Sequence, residues 1–257
     1  MSSSLRNDGS VAVLSDIHGN RWALEAVLAD MARRGVVRCV DLGDCVYGPL
    51  DPAGTIRLLM ARDDPTVRGN EDRTLCEPGA AGADASGDAS TLGYVLRRLD
   101  PGQLAWLSGL PRATTLRDEM VLFHGTPERD DAYLLHDVAP EGAVKRETAE
   151  IERLLSGVRT RVVLCGHDHT PFAAKLPDGR LIVNPGSVGL QAYSDDVPYP
   201  HVMETGTPHA RYCILTPAPS GWDVEQAVVE YDWRVAAETA SRNGRPDWAR
   251  RLETGCA

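Results

Sequence analysis

Five short segments of this 257-residue chain crowd acids, amides and histidines together: Asp16-Ile17-His18, Gly43-Asp44, Gly69-Asn70, His124-Gly125 and Gly166-His167-Asp168-His169. An extended chain sends alternate side chains to one side, so Asp-x-His and His-x-His each deliver two donors in the same direction. Asp16, His18, Asp44, Asn70, His124, His167 and His169 make seven nitrogen or oxygen donors, with no thiolate among them. Mixed imidazole and carboxylate ligation suits manganese, iron, zinc, cobalt or nickel better than it suits a soft metal. A carboxylate such as Asp44 could bridge two such ions at the ~3.5–4 Å spacing that serves in-line phosphoryl displacement. One Asp-x-His or Gly-His-x-His alone is more often a strand-end turn or a core histidine. The weight lies in all five following apolar runs.

Those runs are the elements that must position the donors. Short β-rich stretches at 11–15, 36–42, 65–68, 120–123 and 161–165 lead into the five segments, and a sixth at 181–183 leads into Asn184-Pro185-Gly186-Ser187. Six predicted strands therefore present polar residues at their C-terminal ends, where open α/β sheets place their ligands. Helices are predicted between them. Residues 21–34 carry Leu24, Val27, Leu28 and Met31 at helical spacing, and Asp51-Pro52 opens a helix to about Arg62. Further helices are predicted over 91–98, 101–109 and 146–156, with a last one from Trp233. Asp178-Gly179 predicts a hairpin, and 211–215 and 222–232 read as further strands.

The length suits one domain over 1–257, with a disordered start at 1–9 and a mobile low-complexity loop at 77–90. No apolar run approaches the ~18 residues of a membrane span. The opening residues also lack the pattern of a secretory signal, so the expectation is a cytoplasmic protein that makes no membrane contact. Six cysteines without a CxxC pair read as free thiols. A net charge of −10 argues against a broad nucleic-acid clamp, so long nucleic acid is not expected as a partner. Bound divalent metals would reverse the sign locally.

As an ordered set, the five segments resemble those of the calcineurin-like metallophosphoesterases, in particular their small bacterial and archaeal phosphodiesterase branch. The likeness runs from about residue 10 to 190 and includes the Asn-Pro-Gly-Ser. It implies a four-layer α/β/β/α sandwich of two mixed sheets with a two-metal site at one edge. It further implies that Asp16, His18 and His169 bind one divalent transition-metal ion, manganese first among the choices. Asn70, His124 and His167 would bind a second, and Asp44 would bridge them. A hydroxide held between the ions would attack phosphorus in line, on a small phosphoester or nucleotide. The resemblance leaves open a nucleotide or dinucleoside polyphosphate hydrolase, a phosphoprotein phosphatase and a non-catalytic metal-binding scaffold. It also leaves room for a homo-oligomer.

The sequence departs from the family at Glu71, where many members carry a histidine that protonates the leaving group or orients phosphate. A glutamate at its ordinary pKa near ~4.3 is ionised at neutral pH, so Glu71 is expected to be no efficient proton donor and the enzyme to favour acidic leaving groups. Burial or nearby carboxylates would raise that value, whereas metal charge and Arg68 would lower it. Three further residues are candidate substrate contacts, each with a structural alternative. Tyr47 could cover hydrophobic surface, Arg68 could face solvent, and Asn20 could cap the helix at 21–34. His136, His201 and His209 read as surface or cavity-wall residues, and Asp195 and Asp196 as part of a solvated loop.

Overall fold

A residue-by-residue alternation builds the layers. In β1 (Val11–Leu14), Val11 and Val13 point into one cluster with Val40, Met120, Leu122, Val162, Leu164 and Cys213. Ala12 and Leu14 point the other way, toward Leu24, Val27 and Ile56 of the helices. Both faces of the strand are therefore buried, which is why it reads as a continuous apolar run rather than an alternating one. Each fully buried aliphatic side chain contributes about 1.5–3 kcal/mol relative to an exposed one.

The computed structural model describes residues 9–77 and 90–257; the loop expected at 77–90 and the disordered start at 1–9 lie outside these, apart from their edge residues. One mixed sheet has the order Gly221–Val229, Ala210–Ala218, Val11–Leu14, Arg38–Asp41, with only the last pair parallel. The second has the order Ala113–Leu116, Met120–Phe123, Val162–Leu164, Leu181–Asn184, Phe172–Lys175, and its two central pairings are parallel. The sheets face each other across the Val11–Val13 cluster. Helices α1 (Arg21–Arg33) and α2 (Pro52–Arg62) cover the first sheet. The helix Thr148–Leu154 covers the second through Ile151 and Leu155 against Val163 and Ile182. The result is the four-layer α/β/β/α sandwich.

Several elements differ from the sequence reading. Residues 65–68 form no strand; Thr66 makes one parallel bridge to Asp41. The run is too short, and too closely followed by the helix Asn70–Cys76, to extend the ladder. Two hairpins, His136–Ala139 with Gly142–Lys145 and Ala192–Asp195 with His201–Glu204, have too little apolar alternation to be legible. Asp195 therefore sits on a strand rather than in a loop. A second C-terminal helix, Pro246–Thr254, follows Trp233–Arg242, and the pair packs Ala236, Ala240, Trp248 and Leu252 against Leu50 and Leu190. All six cysteines are free. No helix among the described residues is long and apolar enough to cross a membrane.

Helix α1 is fastened to the sheet by a polar knot at Asp30. Its carboxylate accepts from the Tyr212 hydroxyl (2.6 Å), Arg34 (2.7 Å) and Arg33 (2.8 Å). Burial pushes this carboxyl up, but those donors outweigh it and hold the pKa below its ordinary value. A depressed native pKa stabilises the fold above the unfolded pKa and loses that stabilisation as acid protonates the group. Asp30→Asn should therefore lower the melting temperature at pH 7 and flatten its fall below about pH 4. An unchanged acid slope in thermal melts of the variant would remove Asp30 from this role.

Candidate metal centre

Six of the seven donors follow the ends of strands that are neighbours in the two sheets, and Asn70 opens the helix Asn70–Cys76 beside them. The loops bearing them are zipped together by main-chain bonds. Asp16 N–H donates to Gly43 O (2.9 Å), His18 N–H to Asp44 O (2.9 Å), and Gly166 N–H to His124 O (2.7 Å). Five of the seven donor residues have left-handed backbone: Asp16 (φ 56°), His18 (52°), Asp44 (55°), His167 (71°) and His169 (56°). A non-glycine residue there costs about 1–3 kcal/mol and persists only where its surroundings over-determine it. The strain is concentrated on the donors themselves.

Ligand atoms of Asp16, His18 and His169 lie within 4.8 Å of one another, as do those of Asp44, His124 and His167. Asp16 Oδ1 is 3.3 Å from His169 Nε2 and 3.8 Å from His124 Nε2, which is 3.3 Å from Asp44 Oδ2. His18 Nε2 lies 3.1 Å from His169 Nε2. Three histidines spend Nδ1–H on main-chain oxygens: His18 on Tyr47 (2.9 Å), His124 on Leu42 (2.7 Å) and His169 on Leu190 (2.6 Å). A carbonyl can only accept, so Nδ1 carries the hydrogen and Nε2 is turned inward, the arrangement usual for metal-ligating histidine. Among the described residues, Asp16 Oδ1, Asn70 Oδ1, His124 Nε2 and Glu71 Oε2 are buried with no hydrogen-bond partner, and these inward-facing acceptors fit a bound cation.

The charges fit the same demand. Burial pushes Asp16 up, but His169, His124 and His18 outweigh it and hold the carboxyl far below its ordinary range. Burial works against charged His18 and His124, yet the facing carboxylates lift them to about 9 and about 10. Those carboxylates are Glu71, Asp44 and Asp16 for His18, and Asp44 and Asp16 for His124. His167, buried and beside His124, is lowered to about 4 and stays neutral.

Asp72 holds the two halves together. Its carboxylate, fully buried, accepts from Asp44 N–H (2.8 Å), Cys45 N–H (3.0 Å) and Gly69 N–H (3.0 Å). The Asn-Pro-Gly-Ser segment is a second brace. Ser187 Oγ donates to Asp16 O (2.8 Å), while Asn184 Nδ2 donates to Gly166 O (3.0 Å) and Asp168 Oδ1 (2.8 Å). Asp168 points away from the donors and binds His136 Nδ1 (2.9 Å). His136 is thus a buried support, and His201, bonded to the Tyr133 hydroxyl (2.9 Å), is another.

Donors open into a cavity of about 320 Å³. Tyr47 lines it, with a hydroxyl raised to about 12 by burial and by Glu71, so it remains an O–H donor. Glu71 lines it too, its amide donating to Asp44 Oδ1 (3.0 Å) and its Oε2 3.4 Å from His18 Nδ1. Burial, reinforced by Asp44 and Asp72 against the pull of His18, raises its carboxyl to about 7. Asn20 needs correcting as a substrate contact. Fully buried, it caps α1 through Ala23 N–H (3.2 Å) and donates to Gly189 O (2.9 Å) and the Tyr231 hydroxyl (3.0 Å). Arg68 does not line the cavity, and its Nε is buried without a partner. The sequence reading missed Tyr133, Tyr193, Arg245, Trp248 and Arg251, which form the far wall. Their only sequence signal is the helical three-residue spacing of Arg245, Trp248 and Arg251.

Residues 10–205 match the family model described as the calcineurin-like phosphoesterase superfamily domain. An uncharacterized protein of Methanocaldococcus jannaschii is 25% identical over 257 residues, spanning 93% of this chain and 94% of its own. A metallophosphoesterase from Sphaerobacter thermophilus superposes with a TM-score of 0.72 at 24% identity, covering 95% of this chain and 98% of the other. A hypothetical protein from Pyrococcus horikoshii OT3 superposes at 0.73 with 20% identity, covering 96% and 98%. These structural likenesses establish the fold.

Gly69 has an ordinary φ of −80°, so its lack of a side chain serves contact rather than conformation. A Cβ there would stand 2.0 Å from Asp44 Oδ1 and 2.4 Å from Asp44 N. Gly69→Ala should therefore displace Asp44 and weaken metal binding about 10–100-fold, the range seen when a ligand loses its support. Metal titration by calorimetry reads this directly; wild-type affinity in the variant would show that the loop yields without moving Asp44.

Proposed function

Because the chain belongs to the calcineurin-like phosphoesterase superfamily, and so is a metal-dependent phosphoester hydrolase, we propose that it uses two divalent transition-metal ions to cleave a phosphodiester or phosphomonoester of modest size. The observation that carries this reading is the set of buried, unpartnered acceptors converging from three segments, at Asp16, at Asn70 and Glu71, and at His124. Asp16, His18 and His169 would hold one ion, and Asn70, His124 and His167 the other. Asp44 faces both groups, and manganese suits this all nitrogen-and-oxygen set. What such ions supply when bound is charge neutralisation on the phosphoryl oxygens and an acidified water.

The remaining chemistry belongs to the side chains. Asn70 contributes a neutral amide oxygen and so limits the negative charge that an incoming phosphate meets. Tyr47 offers its hydroxyl hydrogen to a phosphoryl oxygen. Glu71 lines the cavity with a carboxyl that burial raises to about 7 before any ion binds and that metal charge would lower again, so whether it hands a proton to the departing oxygen is what the comparison of ester types below decides.

Metal analysis joined to turnover of bis(p-nitrophenyl) phosphate tests the reading. Two equivalents of metal per chain are expected, with activity lost on chelation and regained with Mn²⁺. Asp44→Asn should lower kcat at least about 10²-fold, as removal of a main electrostatic support does. Bound metal without turnover of any ester would instead favour a scaffold. Glu71→Gln should slow alkyl esters about 10²-fold, the usual worth of a general acid, while sparing aryl esters whose leaving groups need no proton. Equal rates for both ester types in wild type and variant would make Glu71 a bystander.

A further inference from the structure

Arg245, Trp248 and Arg251, part of the far wall of the cavity, come from the Pro246–Thr254 helix and its N-cap and lie outside the 10–205 family match. Two guanidinium groups line the cavity there, and they are not equivalent. Arg245 is already engaged: it pairs with Asp247 (2.7 Å and 3.0 Å) and donates to Thr91 Oγ1. Arg251 is half-buried, and among the described residues its guanidinium makes one hydrogen bond, to the neutral Ser194 Oγ (2.8 Å). No carboxylate among the described residues lies within 4.0 Å of it, although Asp44, Glu71 and Asp195 line the same cavity. Burial works against its charge and lowers its pKa. A partly desolvated guanidinium with four of its five donors unspent is matched to an oxyanion, and a phosphate offers three acceptor oxygens to the fork.

The wall that holds Arg251 is rigid. Trp248, 5% exposed, sets its ring edge-on to His18 with centroids 6.0 Å apart. Asn243 donates to Pro49 O (2.8 Å) in the loop that follows Asp44. Gly255, at φ +67°, seats the end of the helix against Thr207 and accepts from Gly206 N–H (2.9 Å). The helix that carries Arg251 is therefore held in register with the donor loops.

We propose that Arg251 is a specificity-determining residue that binds a second phosphate, carried by the part of the substrate that does not react. The preferred substrates are then phosphoesters bearing two phosphate groups. This rests on the phosphoesterase reading above. The metal donors serve the phosphate being cleaved, and Arg251 serves the other.

The test compares the p-nitrophenyl ester of thymidine 5′-phosphate with the same ester bearing a 3′-phosphate, in metal-loaded protein. Wild type should prefer the bisphosphate. Arg251→Gln should cut kcat/KM for it about tenfold or more through KM, as loss of a charge-assisted bond does. The single-phosphate ester should change less than threefold, and Arg251→Lys should restore part of the preference. Calorimetric binding of thymidine 3′,5′-bisphosphate against thymidine 5′-monophosphate reads the same contrast without turnover. Equal losses on both compounds, or none, overturn the proposal. Absence of turnover with the binding contrast intact would sink the hydrolase reading and leave this one standing.

Discussion

Everything in this molecule is arranged around acceptor atoms that have been dried out and pointed at one another. Asp16 Oδ1, Asn70 Oδ1 and His124 Nε2 find no donor among the described residues, and two imidazole Nε2 atoms stand 3.1 Å apart. Left to themselves, such groups repel or strand their lone pairs, at a cost of several kcal/mol in a buried setting. Protons relieve part of this, which is why the facing carboxylates raise His18 and His124. Multivalent cations relieve all of it, and the fold is built to keep the demand from relaxing.

Keeping it unrelaxed is the work of the layers and braces. Two sheets, each covered by helices, bring the strand ends to one edge, and the residues just beyond them are forced into left-handed backbone. Asp72 gathers three main-chain amides from two loops, and Ser187 with Asn184 ties two others. The Nδ1 atoms of His18, His124 and His169 are pinned to main-chain oxygens, so these three rings cannot turn away. The site's strain is thus borne by many ordinary hydrogen bonds, none of them exceptional.

The donor set was legible in sequence because its chemistry is local. Asp16-x-His18 and His167-x-His169 each state two donors within three residues, and the apolar runs before them state the strands. The helices at 21–33 and 52–62 announce themselves through spacing and caps. What stayed hidden depends on contacts between distant segments. The raised carboxyl of Glu71 arises from burial beside Asp44 and Asp72, causes the sequence could name but not weigh, because Asp44 is distant in the chain. Asn20 looked equally suited to capping or to substrate until Gly189 and Tyr231 took its amide. The far wall was invisible for the same reason: Trp248 and Arg251 reach the cavity only because the terminal helix pair docks on Leu50 and Leu190.

That docking bears on the order in which the molecule is assembled. The bond from Asn243 to Pro49 closes a separation of 194 residues, and that from Asn20 to Tyr231 closes 211. Contacts this remote must wait for the entropy of a long loop to be offset, so they form after hairpins and neighbouring strands. The strands that end in the donor loops can pair while the chamber still lacks one side. During synthesis, the donor cleft would therefore form open on one side, and the last helices then add the wall that carries Trp248 and Arg251.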